Sequence, residues 1–279
     1  MKRIETKDLK QNQMIIEEFE SYDELIKTTS RREVNSWAHG ESKRREVDDD
    51  REPWSGERTY GDAVKHLKEG CETSFKLIKT GLKDTSKVVN KDRKPMTFNN
   101  VIGFQPNVPA AIMGLPKSMI DCKMAPKKTK IIDLIYDMTA NCGTDAEELS
   151  EYGANILQRV VSLEKSGYRV RLSVVATFAR SYDNKHCVKV KLKSENQPLD
   201  LKRVSYPLAG KGMFRRIMFD WYESCPEATE ISGYGCTMRR WGDEQMIKEV
   251  KDKLKGSGKT VYIMYGDKLD DIFRQYEAG

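Results

Sequence analysis

The chain has 279 residues and a mass of 32.1 kDa, enough for one large domain or two small ones with a well-buried core. Hydrophobic residues make up 38% and charged residues 33%, a balance that excludes a disordered chain. No window approaches the roughly 18 uninterrupted apolar residues of a membrane span, and Met1–Lys10 is charged where a secretory signal would be apolar. The expectation is a cytoplasmic protein with no membrane partner.

The formal net charge of +6 is a small excess between 49 basic and 43 acidic residues. Basic stretches at Lys43–Arg45, Lys127–Lys130 and Arg239–Arg240 lack the interleaved aromatics of a stacking platform. They read as solvated faces, with nucleic acid left open as a partner class. Cys71, Cys122, Cys142, Cys187, Cys225 and Cys236 form no CxxC pair, so they are expected to be reduced thiols rather than a zinc ribbon or disulfide framework.

In chain order, residues 1–52 read as a peripheral segment. Met14, Ile15, Phe19, Tyr22, Leu25 and Ile26 fall at helical spacing over Met14–Ile26, and the charged run Glu41–Glu52 has almost nothing to bury. Residues 53–128 read as a small helical and loop region. Thr59 is a candidate N-cap for a helix through Tyr60, Ala63, Val64 and Leu67 that stops at Gly70, and a second helix spans about Thr73–Lys83. Val101–Met119, rich in Gly and Pro, reads as ordered loop.

Residues 129–279 carry the clearest pattern. The nearly continuous apolar run Ile131–Tyr136 predicts a strand buried on both faces. Thr144 and Glu147 match a capping box, and Leu149, Gly153, Ile156, Leu157, Val160 and Leu163 form one stripe ending at Gly167. Tyr168–Phe178 predicts a second strand. Val188, Val190 and Leu192 alternate with Lys189, Lys191 and Lys193 as in a strand exposed on one face, joined through Ala179–His186 as a hairpin. Met213–Glu223 predicts a helix with Phe214, Ile217, Met218 and Trp221 inward, and with Arg215 and Arg216 outward as candidates for contact with a partner. A helix at Gln245–Leu254, a strand at Thr260–Tyr265 and a helix at Leu269–Tyr276 complete a three-layer α/β fold with a mainly parallel sheet.

In such sheets the loop after the first strand often lines the ligand site. Here it places Asp137, Thr139 and Asn141 at alternate positions, all short oxygen-bearing side chains of the kind that hold Mg²⁺ or Mn²⁺, weakly in this case. The arrangement resembles the metal-ion-dependent adhesion motif of von Willebrand factor A domains, Asp-x-Ser-x-Ser followed by a helix, over residues 129–279. Asp137 matches the first ligand and Thr139 the second, while Asn141 stands where the motif has Ser. The resemblance implies a further acid from a later loop, for which Asp267 is the candidate. Without a metal, the same residues terminate a strand and cap a helix.

The stretches Trp54-Ser55-Gly56 with Tyr60, Ala63 and Gly70, and Gly103–Pro109 with Gly114, Pro116 and Met119, resemble uncharacterised proteins encoded by tailed phages. That resemblance implies a protein of the host cytoplasm and brings no activity with it. His39, His66 and His186 have no ligand-like spacing, and no GxGxxG, GxxxxGK[ST], HExxH or GxSxG string occurs. Cys142 stands at a helix N-terminus with no histidine assignable to it. The leading functional reading is therefore a module that binds a host or phage protein through Asp137, Thr139 and Asn141. Its alternatives are a metal-dependent nuclease of the PIN or NYN kind, with Asp137 and Asp267, Asp270 or Asp271 around Mg²⁺, and a structural or scaffold protein of the virion.

Overall fold

A computed structural model describes residues 1–7, 13–38, 42, 57, 59–82, 95–124, 130–141, 143–181, 184–228, 244–256 and 258–277. Outside these lie Lys43–Arg45, Arg239–Arg240, His39, Trp54, Cys142, Cys236 and nearly all of the charged run Glu41–Glu52.

The fold is three-layer α/β around a six-stranded mixed sheet. At its centre is β6 (Ile131–Asp137), paired in parallel with β7 (Arg169–Ser181) on one side and β9 (Lys259–Met264) on the other. Its residues from Ile132 onward are all buried, which explains the unbroken apolar run: each face of the strand meets a different core. β8 (Asn184–Lys193) turns back antiparallel to β7 as the expected hairpin.

One layer holds most of the helices. Helix α5 (Ala146–Lys165) lies against the sheet with α6 (Leu201–Ala209), α2 (Tyr60–Glu69) and α3 (Glu72–Leu82) packed on it or on one another. Gly153 allows this closeness, because a Cβ there would stand 1.9 Å from the Leu208 carbonyl oxygen. Leu157, Val160 and Leu163 of α5 pack with Leu134, Tyr136 and Val174 of the sheet, joined by Phe273 of α9 (Leu269–Glu277). The opposite layer is α8 (Glu244–Leu254), whose Met246, Val250 and Leu254 close over Ile135, Val175, Cys187 and Met264. Gly167, at φ 86°, ends α5 as expected. The cap at the other end is Asp145 rather than Thr144, its carboxylate accepting from the amides of Glu147 and Glu148.

The N-terminal segment, expected to be peripheral, is part of the main sheet. The predicted helix over Met14–Ile26 is instead strand β2 (Gln13–Phe19) followed by α1 (Tyr22–Thr29). β2 pairs in parallel with β8 and antiparallel with β1 (Lys2–Lys7), giving the order β1-β2-β8-β7-β6-β9. The spacing misled because a strand buried on both sides produces the same Met14-Ile15-Ile16 cluster that one helical turn would. Met14 and Ile16 face α8, and Phe19 faces the other core.

Glu17, fully buried, completes the anchorage. Arg32 holds its carboxylate by two bonds of 2.9 and 2.8 Å, and the Trp221 indole donates at 2.7 Å.

The lysines of β8 are not a simple solvent face. Lys185 and Lys193 are buried against Glu249 and Glu164, each at 2.6 Å. A shift of register between Leu172 and Ser173 makes Leu192 an extra residue, so Lys193 turns toward α5 while Lys189 and Lys191 remain on the α8 side. Arg216 departs from expectation as well. Met213–Met218 is a π-helical segment preceding α7 (Phe219–Ser224), and Arg216 points inward, 5% exposed, donating to the Glu57 carbonyl at 3.2 Å.

Residues 95–124 form a separate small sheet. β3 (Pro95–Asn100) and β4 (Gln105–Pro106) flank β5 (Met119–Met124), with the short helix α4 (Val108–Ile112) between β4 and β5. The loop read over Val101–Met119 is thus partly regular. Its Pro and Gly hide the pairing, as a two-residue strand offers no alternation to read.

Two measurements test this arrangement. Phe19→Ala should lose about 3–5 kcal/mol of stability in chemical denaturation, and a loss below about 1 kcal/mol would mean β2 is not part of the core. His186 is 1% exposed beside the Tyr222 ring, and burial pushes its imidazole down to about 4. The folded state therefore prefers the neutral ring, and its contribution to stability is complete above about 6.5 and lost as pH falls toward 4. His186→Phe should remove roughly 2 kcal/mol of the stability that the wild type loses between pH 7 and pH 5.

Candidate functional site

Asp137 closes β6 where the parallel strands end, and the sheet register brings two other strands to it. Its Oδ1 accepts from the Thr139 amide at 3.0 Å and the Thr139 hydroxyl at 2.6 Å. Its Oδ2 accepts from the Thr177 hydroxyl of β7 at 3.2 Å and the Tyr262 hydroxyl of β9 at 2.7 Å. The Thr139 hydroxyl also takes the Thr177 amide at 2.9 Å, locking the loop onto β7. Asp137 is 1% exposed, and burial raises its carboxyl above the ordinary range while these four donors pull it back.

Of the residues expected to converge, Asp137 and Thr139 do. Asn141 is half-buried and its carbonyl accepts from the Thr144 amide at 3.0 Å. Asp267 caps the end of β9, its Oδ2 accepting from the Met264 amide at 2.8 Å; burial first, then the nearby Asp137, raise the Tyr262 phenol, and Asp267 adds a smaller push. Thr177 and Tyr262 were not legible as members, since only the register of three strands places them beside Asp137. The carboxylate already accepts about as many bonds as its lone pairs allow, so an ion bound there would first displace some of these donors. Arg215 is half-buried, its guanidinium 5.4 and 5.1 Å from the ring centres of Phe214 and Phe219. Among the described residues no group of three or more His, Cys, Asp or Glu is placed to hold a metal ion. Cys71, Cys187 and Cys225 are free and buried.

Two further features escaped sequence reasoning. The first is a polar groove of about 550 Å³ across the α8 side of the sheet, where β6 and β7 begin, with Asp133, Arg171, Ser173, Lys189, Lys253 and Gly256 in its lining. The second is the small sheet. The 22 residues from Pro95 to Pro116, between Lys94 and Lys117, carry no charged side chain. Within them Val101, Ile102, Phe104, Val108, Ile112, Met113 and Leu115 are exposed, from 48% for Leu115 to 80% for Ile102 and Ile112. The missing charge was visible in the sequence; the exposure was not. No helix among the described residues is long and apolar enough to cross a membrane.

The hydrogen-bond geometry gives Asp137 a structural role that can be measured. Asp137→Ala would leave Thr139, Thr177 and Tyr262 without their acceptor and should cost about 2–4 kcal/mol in denaturation. A variant as stable as wild type would mean the carboxylate is held for a ligand and not for the fold.

No curated protein and no solved structure matches the chain. A family model described as a domain of unknown function (DUF7192) matches residues 3–277. That span runs from the first strand of the main sheet to the last helix and takes in the small sheet as well, so the chain belongs to that family.

Proposed function

We propose that the chain is a protein-binding module that docks through the small sheet rather than through a metal-completed surface at Asp137. The carrying observation is the set of seven exposed apolar side chains within residues 101–115, in a stretch without charge. A monomer seldom exposes a contiguous apolar patch beyond a few hundred Å². Seven exposed apolar side chains close together in the chain are more than the single scattered ones of an ordinary surface. Depletion of charge is also what separates the core of a protein interface from other surface.

The occupant that fits is a protein whose contact surface is itself apolar. Nucleic acid is disfavoured, because phosphate binding draws on Lys and Arg and residues 95–116 have none. The nuclease reading lacks the three or four carboxylates that two-metal chemistry uses, since no such group is present among the described residues. The Asp137 cluster supports the scaffold instead, fixing β6, β7 and β9 to one another.

Site-specific photo-crosslinking tests the reading. A photoreactive residue in place of Phe104 should give a discrete cross-linked protein in the cells that make the chain, whereas the same residue at exposed Lys68 on α2 should not. Ile102→Asp with Ile112→Asp should abolish that product and leave the melting temperature unchanged, both side chains being 80% exposed. A cross-link that survives the double variant, or sedimentation of the purified chain with neutral phospholipid vesicles, would sink the proposal.

A further inference from the structure

We infer that the polar groove beside α8 binds an anionic small molecule that also presents neutral hydroxyl or amino donors, the chemistry of a sugar phosphate or a nucleotide. Asp133 of β6 and Ser173 of β7 face this groove, brought side by side because Asp133 opposes Arg171 and Ile135 opposes Ser173. Both are 1% exposed. Neither carboxylate oxygen of Asp133 has a hydrogen-bond partner, nor does the Ser173 hydroxyl.

The contrast with Glu17 and Asp137 is what makes this informative. Glu17 is held by Arg32 and Trp221, and Asp137 by four donors. A buried carboxylate without partners costs stability, and one that lines a groove is placed to take from a ligand the donors the protein omits. One wall of the groove is backbone against this acid, since a Cβ on Gly256 would stand 1.9 Å from Asp133 Oδ2.

The surrounding charge narrows the ligand. Arg171 is committed to Glu195 by two bonds of 3.0 Å, and Lys189 donates to the Leu254 carbonyl at 3.3 Å with Glu18 at 3.7 Å. Neither pairs with Asp133, yet both lie close enough to oppose the rise that burial imposes on its carboxyl. A cationic ligand head would meet their repulsion, so a neutral donor suits Asp133 best. Six basic side chains line the groove against four acidic ones; Lys255 is held by Asp252 from outside the lining at 2.5 Å, so Lys253 on the rim is the better placed to meet an anionic group. Its size falls within the 300–1,000 Å³ of small-molecule sites. The groove lies on the main sheet, outside residues 95–116, so this inference is independent of the docking surface.

The test uses the full chain, with ribose 5-phosphate, AMP, ribose and inorganic phosphate as separate probes in thermal melting and calorimetry. Ribose 5-phosphate or AMP should raise the melting temperature at millimolar concentration, and the tighter of the two identifies the class. Asp133→Ala should weaken that binding by about tenfold or more. The exposed pair Lys253→Glu with Lys255→Glu should weaken it too, and this variant stands in if Asp133→Ala fails to fold. Binding of inorganic phosphate as tight as that of ribose 5-phosphate, unaffected at Asp133, would mean an ion on the lysine rim only and would overturn the inference, as would no response to any probe.

Discussion

The N-terminal strands stay in this sheet because a carboxylate buried among apolar side chains has been given partners from three directions. Glu17 lies on β2, Arg32 just beyond α1, and Trp221 on α7, with Arg3 of β1 at 3.4 Å. Removal of one partner from a buried charged pair costs about 3–5 kcal/mol. The network therefore fixes the strand, the chain that leaves it and the helix above it at once. The cores on both sides of β2 depend on this: Met14 and Ile16 complete the layer under α8, while Phe19 joins the main core.

The parts legible in the sequence are those whose pattern is local. Ile131–Asp137 and the stripe of α5 each solve their own burial problem, so their periodicity states it. β2 was not legible, because its run of three apolar residues satisfies a helix as well as a doubly buried strand, and the buried Glu17 mimics a solvent position. β8 misled for the opposite reason. Its lysines read as wet, but their stems cover apolar surface and their charges meet Glu249, Glu164 and Glu18 from elsewhere in the chain. The same limit applies to the site: Asp137 and Thr139 are neighbours in sequence, whereas Thr177 and Tyr262 reach them through strand register alone.

Polar chemistry is divided unevenly over this molecule. In a chain with one charged residue in three, 22 consecutive residues have none, and these hold most of the exposed large apolar side chains. The groove on the main sheet concentrates the reverse character, with ten charged residues in its lining. The two surfaces therefore suit unlike partners, one dry and one strongly hydrated, and neither needs the enclosed carboxylate at Asp137.

The extra residue in β8 gives that strand an unusual tolerance. Alternation makes a strand a reading frame of two, and one insertion or deletion ordinarily moves every later side chain to the wrong face. Leu172 opposes Lys193 and Ser173 opposes Lys191, so Leu192 is outside the count. Loss of Leu192 alone would forfeit its partial packing while leaving Lys191 on the groove side and Lys193 against Glu164. In the register of this strand, Leu192 is a place where length can change by a single residue without rewriting either layer.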